Sequence, residues 1–227
     1  MEFEDRVPFV VRLEAEDRQA LLASGSRLVF PVRQVLLREH EPSAHVLILL
    51  SGWTKVTSAA ANGYEALLAL RGPGDIVGEG AALSGRHRSA TVTALGQVEA
   101  LAVEAERFGA LLDQRPAISK KLLALIADRM RDSDRRRLQY AALNVQERLA
   151  LLLLELIRSH GQETQEGVHL TPGLTQSELA GSVGASREAV ARLLKGLRER
   201  GIVRTERRGL VVIRPDVLRR MASQGGR

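Results

Sequence analysis

From Leu28 to Val103 the apolar residues come in short runs or in alternation, broken by glycine-bearing turns. VLILL (46–50) ends at Ser51-Gly52, and TKVTS (54–58) leads to Asn62-Gly63, a pair whose tolerance of positive φ suits a tight hairpin. EALLAL (65–70) follows, then the turn RGPGD (71–75), then RSATVTAL (88–95) and VEALAV (98–103). Strand-sized pieces at this spacing predict an antiparallel sandwich or roll of about eight strands. EALLAL fits a helical turn as well as a strand. A short helix over Glu16–Ala23 is expected ahead of the sheet.

The pattern then changes period. No breaker interrupts a helical stretch from about Ala117 to Ser159, except near Asn144. Leu123, Ile126, Met130, Ser133, Arg137 and Tyr140 recur at alternating spacings of three and four, the seam of a coiled coil. This seam starts apolar and turns polar midway. A helix this long beside a small domain that cannot cover it predicts pairing with a second copy. The last third reads as helix, helix, helix and hairpin, with Leu149–Ile157 apolar enough for a core and SHGQETQEG (159–167) as a polar loop.

Composition narrows the chemistry. The chain has 227 residues, 44% hydrophobic and 26% charged, enough for two domains with real cores. With no cysteine, disulfides, Cys-ligated zinc, iron–sulfur clusters and thiol catalysis are excluded. The start, MEFEDRVPFV, is acidic and mixed, unlike a signal peptide, and the run Leu149–Leu154 is too short to span a bilayer. A cytoplasmic protein without a membrane partner is the expectation. The net charge of +6 is uneven: residues 145–227 carry 14 Lys+Arg against 9 Asp+Glu, which leaves 19 against 18 for residues 1–144. A basic C-terminal third points to a polyanion, most simply nucleic acid.

The C-terminal third also holds the clearest motif. Thr175-Gln-Ser-Glu178 is a capping box, in which threonine accepts from a first-turn amide while glutamate reaches back. Val183-Gly184-Ala185 offers a glycine for the positive φ of a turn between helices. Ser186 then caps a second helix that runs to about Arg200 and stops at Gly201. IVRT (202–205), a turn at Arg207-Arg208-Gly209 and LVVI (210–213) make a hairpin behind it. On the second helix Val190, Leu193, Leu194 and Leu197 share one face, while Glu188, Arg192 and Lys195 lie opposite. Arginine can pair with guanine O6/N7 in the major groove and glutamate can accept from cytosine N4. Surface charges occur on any amphipathic helix, but here capping, glycine turn, core face and wing agree.

The segment LTQSELAGSVGASREAVARLLKGLRERGIV resembles the winged helix of the Crp/Fnr superfamily, and its Arg-Glu-x-x-x-Arg is similar to the cyclic-AMP receptor protein branch. The resemblance implies that Arg187, Glu188 and Arg192 read a TGTGA-type half-site, with Ser186, Lys195, Arg207 and Arg208 supporting the DNA contact. The Fnr branch, with its cysteine-bound cluster, does not fit a chain without cysteine.

GDIVGEGAALSGRHRSATV (74–92) stands where this family keeps its phosphate-binding cassette. Its glycines, Gly78 among them, let the backbone approach a phosphate, Arg88 and Ser89 can hold the oxygens, and Glu79 can accept from a ribose 2′-hydroxyl. Gly80 replaces a common bulky aliphatic and His87 a common proline. Counting back from Val145-Gln-Glu-Arg148, the resemblance places Ser133 and Asp134 where family members meet the purine from both subunits. Asp134 adds a carboxylate there that favours donors such as adenine N6 or guanine N1/N2. Arg129, one turn earlier, could reach the phosphate.

The resemblance implies an α+β chain: a cyclic-nucleotide-binding type antiparallel β-roll (1–114), a long dimerisation helix (115–144) and a winged helix-turn-helix (145–227). Its function would be ligand-controlled transcription regulation by a homodimer on double-stranded DNA. The effector would be cAMP first, with cGMP or a cyclic dinucleotide next, and RNA polymerase is an expected partner. The alternative is a ligand-independent regulator of the same fold with a relic pocket. An enzyme is not expected, since no base, nucleophile or metal cluster accompanies Glu79 and Arg88, and no metal or catalytic cofactor is implied.

Overall fold

The computed structural model describes residues 7–42, 44–170, 174–206 and 209–223, the side chain of His160 excepted. Two compact units form. One comprises residues 7–59 and 68–131, and the other runs from Asp132 onward with the segment 60–67 added.

In the first unit, a 3-10 turn (Val10–Arg12) and helix α1 (Ala15–Leu22) precede the strands. Strands β1 (Ser26–Phe30), β8 (Val98–Glu104), β3 (His45–Ser51) and β6 (Ile76–Val77) form one antiparallel sheet, in that order. Strands β2 (Val35–Leu37), β7 (Thr91–Ala94), β4 (Thr54–Ala59) and β5 (Glu65–Arg71) form the second. Short helices α2 (Glu79–Ser84) and α3 (Ala105–Gln114) follow β6 and β8, and α4 (Pro116–Ala142) begins the long helical stretch.

The unbroken apolar run of β3 has a simple cause: both of its faces are buried. Val46 and Ile48 join Leu101 and Val103 of β8 in a cluster with Leu21, Phe108, Ile118, Leu122 and Leu125 of the helices. Leu47 and Leu49 point the other way, into a cluster with Leu37, Val92, Val98 and Ala100 between the sheets. Side chains alternate across a strand, so a strand covered on both sides has no polar positions to offer. EALLAL is strand β5, and its helix-like signal is genuine in one respect, because Leu67 and Leu70 are its buried leucines, three apart.

The second unit corrects two expectations. The polar stretch 159–167 is not a loop: α5 (Val145–His160) runs on to the hairpin of β9 (Gly161–Thr164) and β10 (Gly167–Leu170). A further helix, α8 (Pro215–Ser223), closes the chain and buries Val217, Leu218 and Met221. Between them stand α6 (Gln176–Val183), α7 (Arg187–Glu199), β11 (Val203–Glu206) and β12 (Gly209–Val212). The sheet order is β11-β12-β10-β9, so the wing is widened to four strands by the unexpected hairpin. The helical break falls at Asn144. Its side chain accepts from the Glu147 amide while Glu147 accepts from the Asn144 amide, a second capping box that fixes the start of α5.

Candidate functional site

The cassette lies on β6, α2 and the segment leading into β7. Arg88 is 4% exposed, and its guanidinium donates to the carbonyls of Gly78 at 2.8 Å and His45. Its main chain is fixed by the Glu41 and His40 peptides, through Arg88 N–H to Glu41 O and His40 N–H to Arg88 O. Gly78 has φ +84°, and a Cβ there would overlap Arg88 Nη1 and stand 2.9 Å from Leu37 Cδ1. Only glycine permits this backbone to wrap the guanidinium. Burial pulls the Arg88 pKa below its ordinary value, while the Glu79 and Glu41 charges pull the other way. No side-chain carboxylate hydrogen-bonds to Arg88 among the described residues, which leaves a buried cation held by carbonyls alone. Such a group is an electrostatic seat for an anion.

The other cassette residues fall into place unequally. Ser89 is exposed, as are Gly80 and His87. Glu79 heads α2, and its carboxylate accepts from Arg129 of α4, whose other Nη donates to Ile76 O at 2.9 Å. Arg129 is thus turned to a carboxylate, not poised free for a phosphate, and its buried Nε has no hydrogen-bond partner. Ser133 and Asp134 stand farther along the same helix and are exposed, with Asp134 3.4 Å from Arg137. Of the seam residues, Leu123 and Met130 are 66% and 64% exposed, whereas Ile126 packs against the roll core. Tyr140 donates to Ser182 O at 2.7 Å and carries the Arg148 guanidinium over its ring.

In the second unit the capping box at Thr175 and Glu178 forms reciprocally, with amide-to-side-chain distances of 2.7 and 3.2 Å. Gly184 ends α6 at φ +61°. Ser186 caps α7 by accepting from the Ala189 amide at 3.2 Å. Val190, Leu194 and Leu197 are buried, while Arg187, Glu188, Arg192 and Lys195 are exposed. Lys195 lies 3.7 Å from Glu199, but no ion pair engages Arg187, Glu188 or Arg192 among the described residues. A capped N-terminus with two unengaged guanidiniums and a carboxylate on one open face is equipped to meet base edges and phosphates. Arg207 and Arg208 lie outside the described residues.

Two features escaped the sequence reading. The tip between β4 and β5 meets α6, where Tyr64 O–H donates to Gly181 O at 3.3 Å and Gly181 leaves room for the Glu65 carbonyl. Arg148, used only as a counting landmark, donates to Val183 O and Leu143 O and so joins the ends of α4 and α6 to α5. An arginine beside a predicted helix break was the available signal. Among the described residues no group of histidine, cysteine or carboxylate side chains could hold a metal ion, and no helix is long and apolar enough to cross a membrane.

Comparison with known proteins agrees with both halves. Residues 27–115 match the family model described as cyclic nucleotide-binding domain, and residues 147–221 match the Crp-like helix-turn-helix domain. The chain is 31% identical over 193 residues to the CRP-like cAMP-activated global transcriptional regulator of Mycobacterium tuberculosis, covering 85% of this chain and 86% of that one. It is 31% identical over 200 residues to the cyclic AMP receptor protein of Thermus thermophilus, covering 87% and 88%. The solved structure of CLP, described as a c-di-GMP responsive global regulator of Xanthomonas campestris, shares the fold at a TM-score of 0.78. That match has 24% identity and covers 88% of this chain and 99% of that one. The chain therefore belongs to the Crp/Fnr family of DNA-binding transcription regulators.

Proposed function

We propose that this regulator is a homodimer controlled by a cyclic nucleotide, cAMP before cGMP or a cyclic dinucleotide, and that it reads a TGTGA-type palindrome. The observation that carries the reading is Arg88: a buried guanidinium beside a glycine-walled turn, with carbonyls but no carboxylate bonded to it. A cyclic phosphate supplies the missing anion through charge-assisted hydrogen bonds. Gly78 would supply close backbone approach, Ser89 a hydroxyl donor, and Glu79 an acceptor for the ribose once Arg129 yields it. Ser133 and Asp134, exposed on α4, would meet the base. The relatives named for cAMP support the choice of nucleotide.

On DNA, Arg187, Glu188 and Arg192 would read the half-site from the N-terminal turns of α7, with Ser186 fixing that end. Lys195 and the wing arginines Arg207 and Arg208 would hold phosphates. The exposed Leu123 and Met130 on α4 support pairing of two such helices, which would set the recognition helices about 34 Å apart. RNA polymerase would be the further partner, and the cytoplasm the site of action.

One observation favours the second reading, in which the pocket is a relic. The Glu79 carboxylate already accepts from Arg129 through Oε1, so a ribose hydroxyl would have to compete with that guanidinium. Titration calorimetry with cAMP, cGMP and c-di-GMP decides between them, followed by anisotropy with a labelled TGTGA palindrome and by sedimentation. Saturable nucleotide binding that raises palindrome affinity supports the first reading. Tight palindrome binding by a dimer that takes up none of the three supports the second.

A further inference from the structure

The second unit contains a cleft that neither the cassette nor the recognition helix accounts for. It lies where α4 gives way to α5, with Arg135, Arg136 and Tyr140 on one side and Arg148 and Glu155 on the other, and it opens to solvent. Leu151 and Leu152 add an apolar wall. Arg135 is engaged by Asp132 at 2.6 Å and Arg136 lies 3.4 Å from Glu155. The lining thus holds three arginines and one carboxylate, Glu155.

Arg148 is the best-prepared of these cations. Its Nε donates to Val183 O at 2.8 Å and its Nη1 to Leu143 O, while its Cζ sits 5.3 Å from the centre of the Tyr140 ring. Tyr140 is itself held by its hydrogen bond to Ser182 O. These contacts fix the planar fork in one orientation before any ligand arrives, and Nη2 makes no hydrogen bond to a described residue. An immobilised guanidinium with Nη2 unspent, in a solvent-open cleft also lined by Arg136, offers a charged donor to a phosphate oxygen.

We propose that this cleft binds a phosphate dianion, free or as the terminal monoester of a small metabolite, between Arg148 and Arg136. Glu155 opposes it, because the dianion must compete with that carboxylate for Arg136. Since Arg148 also carries the main-chain contacts that join α4, α5 and α6, an occupied cleft stiffens the junction at Leu143 and Asn144 from which the DNA-reading helices are hung. The site is separate from the cassette and does not depend on the identity of the cassette ligand.

The test is titration calorimetry of the full chain with sodium phosphate and with 5′-AMP, at constant ionic strength and with chloride as control. Saturable binding of phosphate alone identifies the free ion, and tighter binding of 5′-AMP identifies a monoester; either upholds the site. Arg136→Gln should weaken the interaction about tenfold, as loss of a charged hydrogen bond implies. Glu155→Gln should strengthen it, an opposite sign that impaired folding cannot produce. Binding should persist in Arg88→Leu, which disables the cassette. The proposal fails if neither probe saturates, if Arg136→Gln binds as wild type, if Glu155→Gln does not strengthen binding, or if Arg88→Leu abolishes it.

Discussion

Gly78→Ala tests the cassette geometry directly. The residue sits at φ +84° and ψ 2°, a left-handed conformation that costs a residue with a Cβ about 1–2 kcal/mol. The new methyl would overlap Arg88 Nη1, which donates to the Gly78 carbonyl at 2.8 Å, and Leu37 Cδ1 at 2.9 Å closes the other side. Displacing that guanidinium forfeits a charge-assisted hydrogen bond in a buried place, about 1.5–3 kcal/mol. Against this, alanine restricts the unfolded chain and returns about 0.5–1 kcal/mol. The net loss is about 2–4 kcal/mol. Gly80→Ala is the matched control, because nothing lies within 4 Å of a Cβ built there and the residue is inside α2. That substitution should be neutral or stabilising by about 0.5–1 kcal/mol.

Urea unfolding followed by tryptophan fluorescence reads the difference. The chain has one tryptophan, Trp53, and its ring packs over Gly72 within the roll, so the signal reports that unit. For an m-value of about 1–2 kcal/mol/M the midpoint should fall by roughly 2 M in Gly78→Ala and hold or rise in Gly80→Ala. Calorimetry on the same proteins should show cyclic-nucleotide binding lost in the first and kept in the second. If the two variants unfold at the same urea concentration, the close approach of Gly78 to Arg88 is not a feature of the folded protein.

Arg187→Ala should weaken a TGTGA palindrome by about 1–3 kcal/mol and relax preference at one base, whereas Lys195→Ala should weaken all DNA alike and flatten the salt dependence. Equal loss on specific and random DNA in the Arg187 variant would remove that residue from base reading. Burial, and then the Arg88 charge, hold the His45 pKa below its ordinary 6.5. The folded state therefore resists a proton that the unfolded chain accepts, so stability is full above about pH 6.5 and declines as pH falls through the depressed value. His45→Gln should flatten the Trp53-monitored urea midpoint between about pH 6.5 and 5, and an unchanged slope would assign the effect to other groups. Arg137 is 79% exposed, with Asp134 as its ion-pair partner. In a paired seam two such arginines repel across the axis, so Arg137→Leu should strengthen the dimer in sedimentation and raise ligand-free DNA affinity above wild type.

The sequence by itself determined the elements whose signal is local. Capping is a contact among residues three apart, so Thr175 with Glu178 and Ser186 with Ala189 were legible, as was the break near Asn144. Strand alternation and the amphipathic face of α7 are likewise written in consecutive residues. The hairpin β9–β10 was not legible, because β9 is a polar, exposed edge strand and only pairing of β10 with β12 ties the two into a sheet. Helix α8 was missed for a related reason: Val217, Leu218 and Met221 acquire meaning only when the core of the second unit receives them.

The cassette divides along the same line. Gly78, Glu79, Arg88 and Ser89 could be nominated in the sequence, because residues 74–92 resemble the phosphate-binding cassette of the Crp/Fnr family. Their partnerships could not. That Arg88 is held by carbonyls and that Glu79 is claimed by Arg129, fifty residues away, are outcomes of packing between β6, α2 and α4. The cleft at Arg148 belongs wholly to this second class, for its residues come from three helices and no short stretch of chain brings them together. Local backbone chemistry acts between neighbours in sequence and can be read there. The burial and pairing of a charge depend on which distant surfaces exclude water around it, and only the tertiary structure decides that.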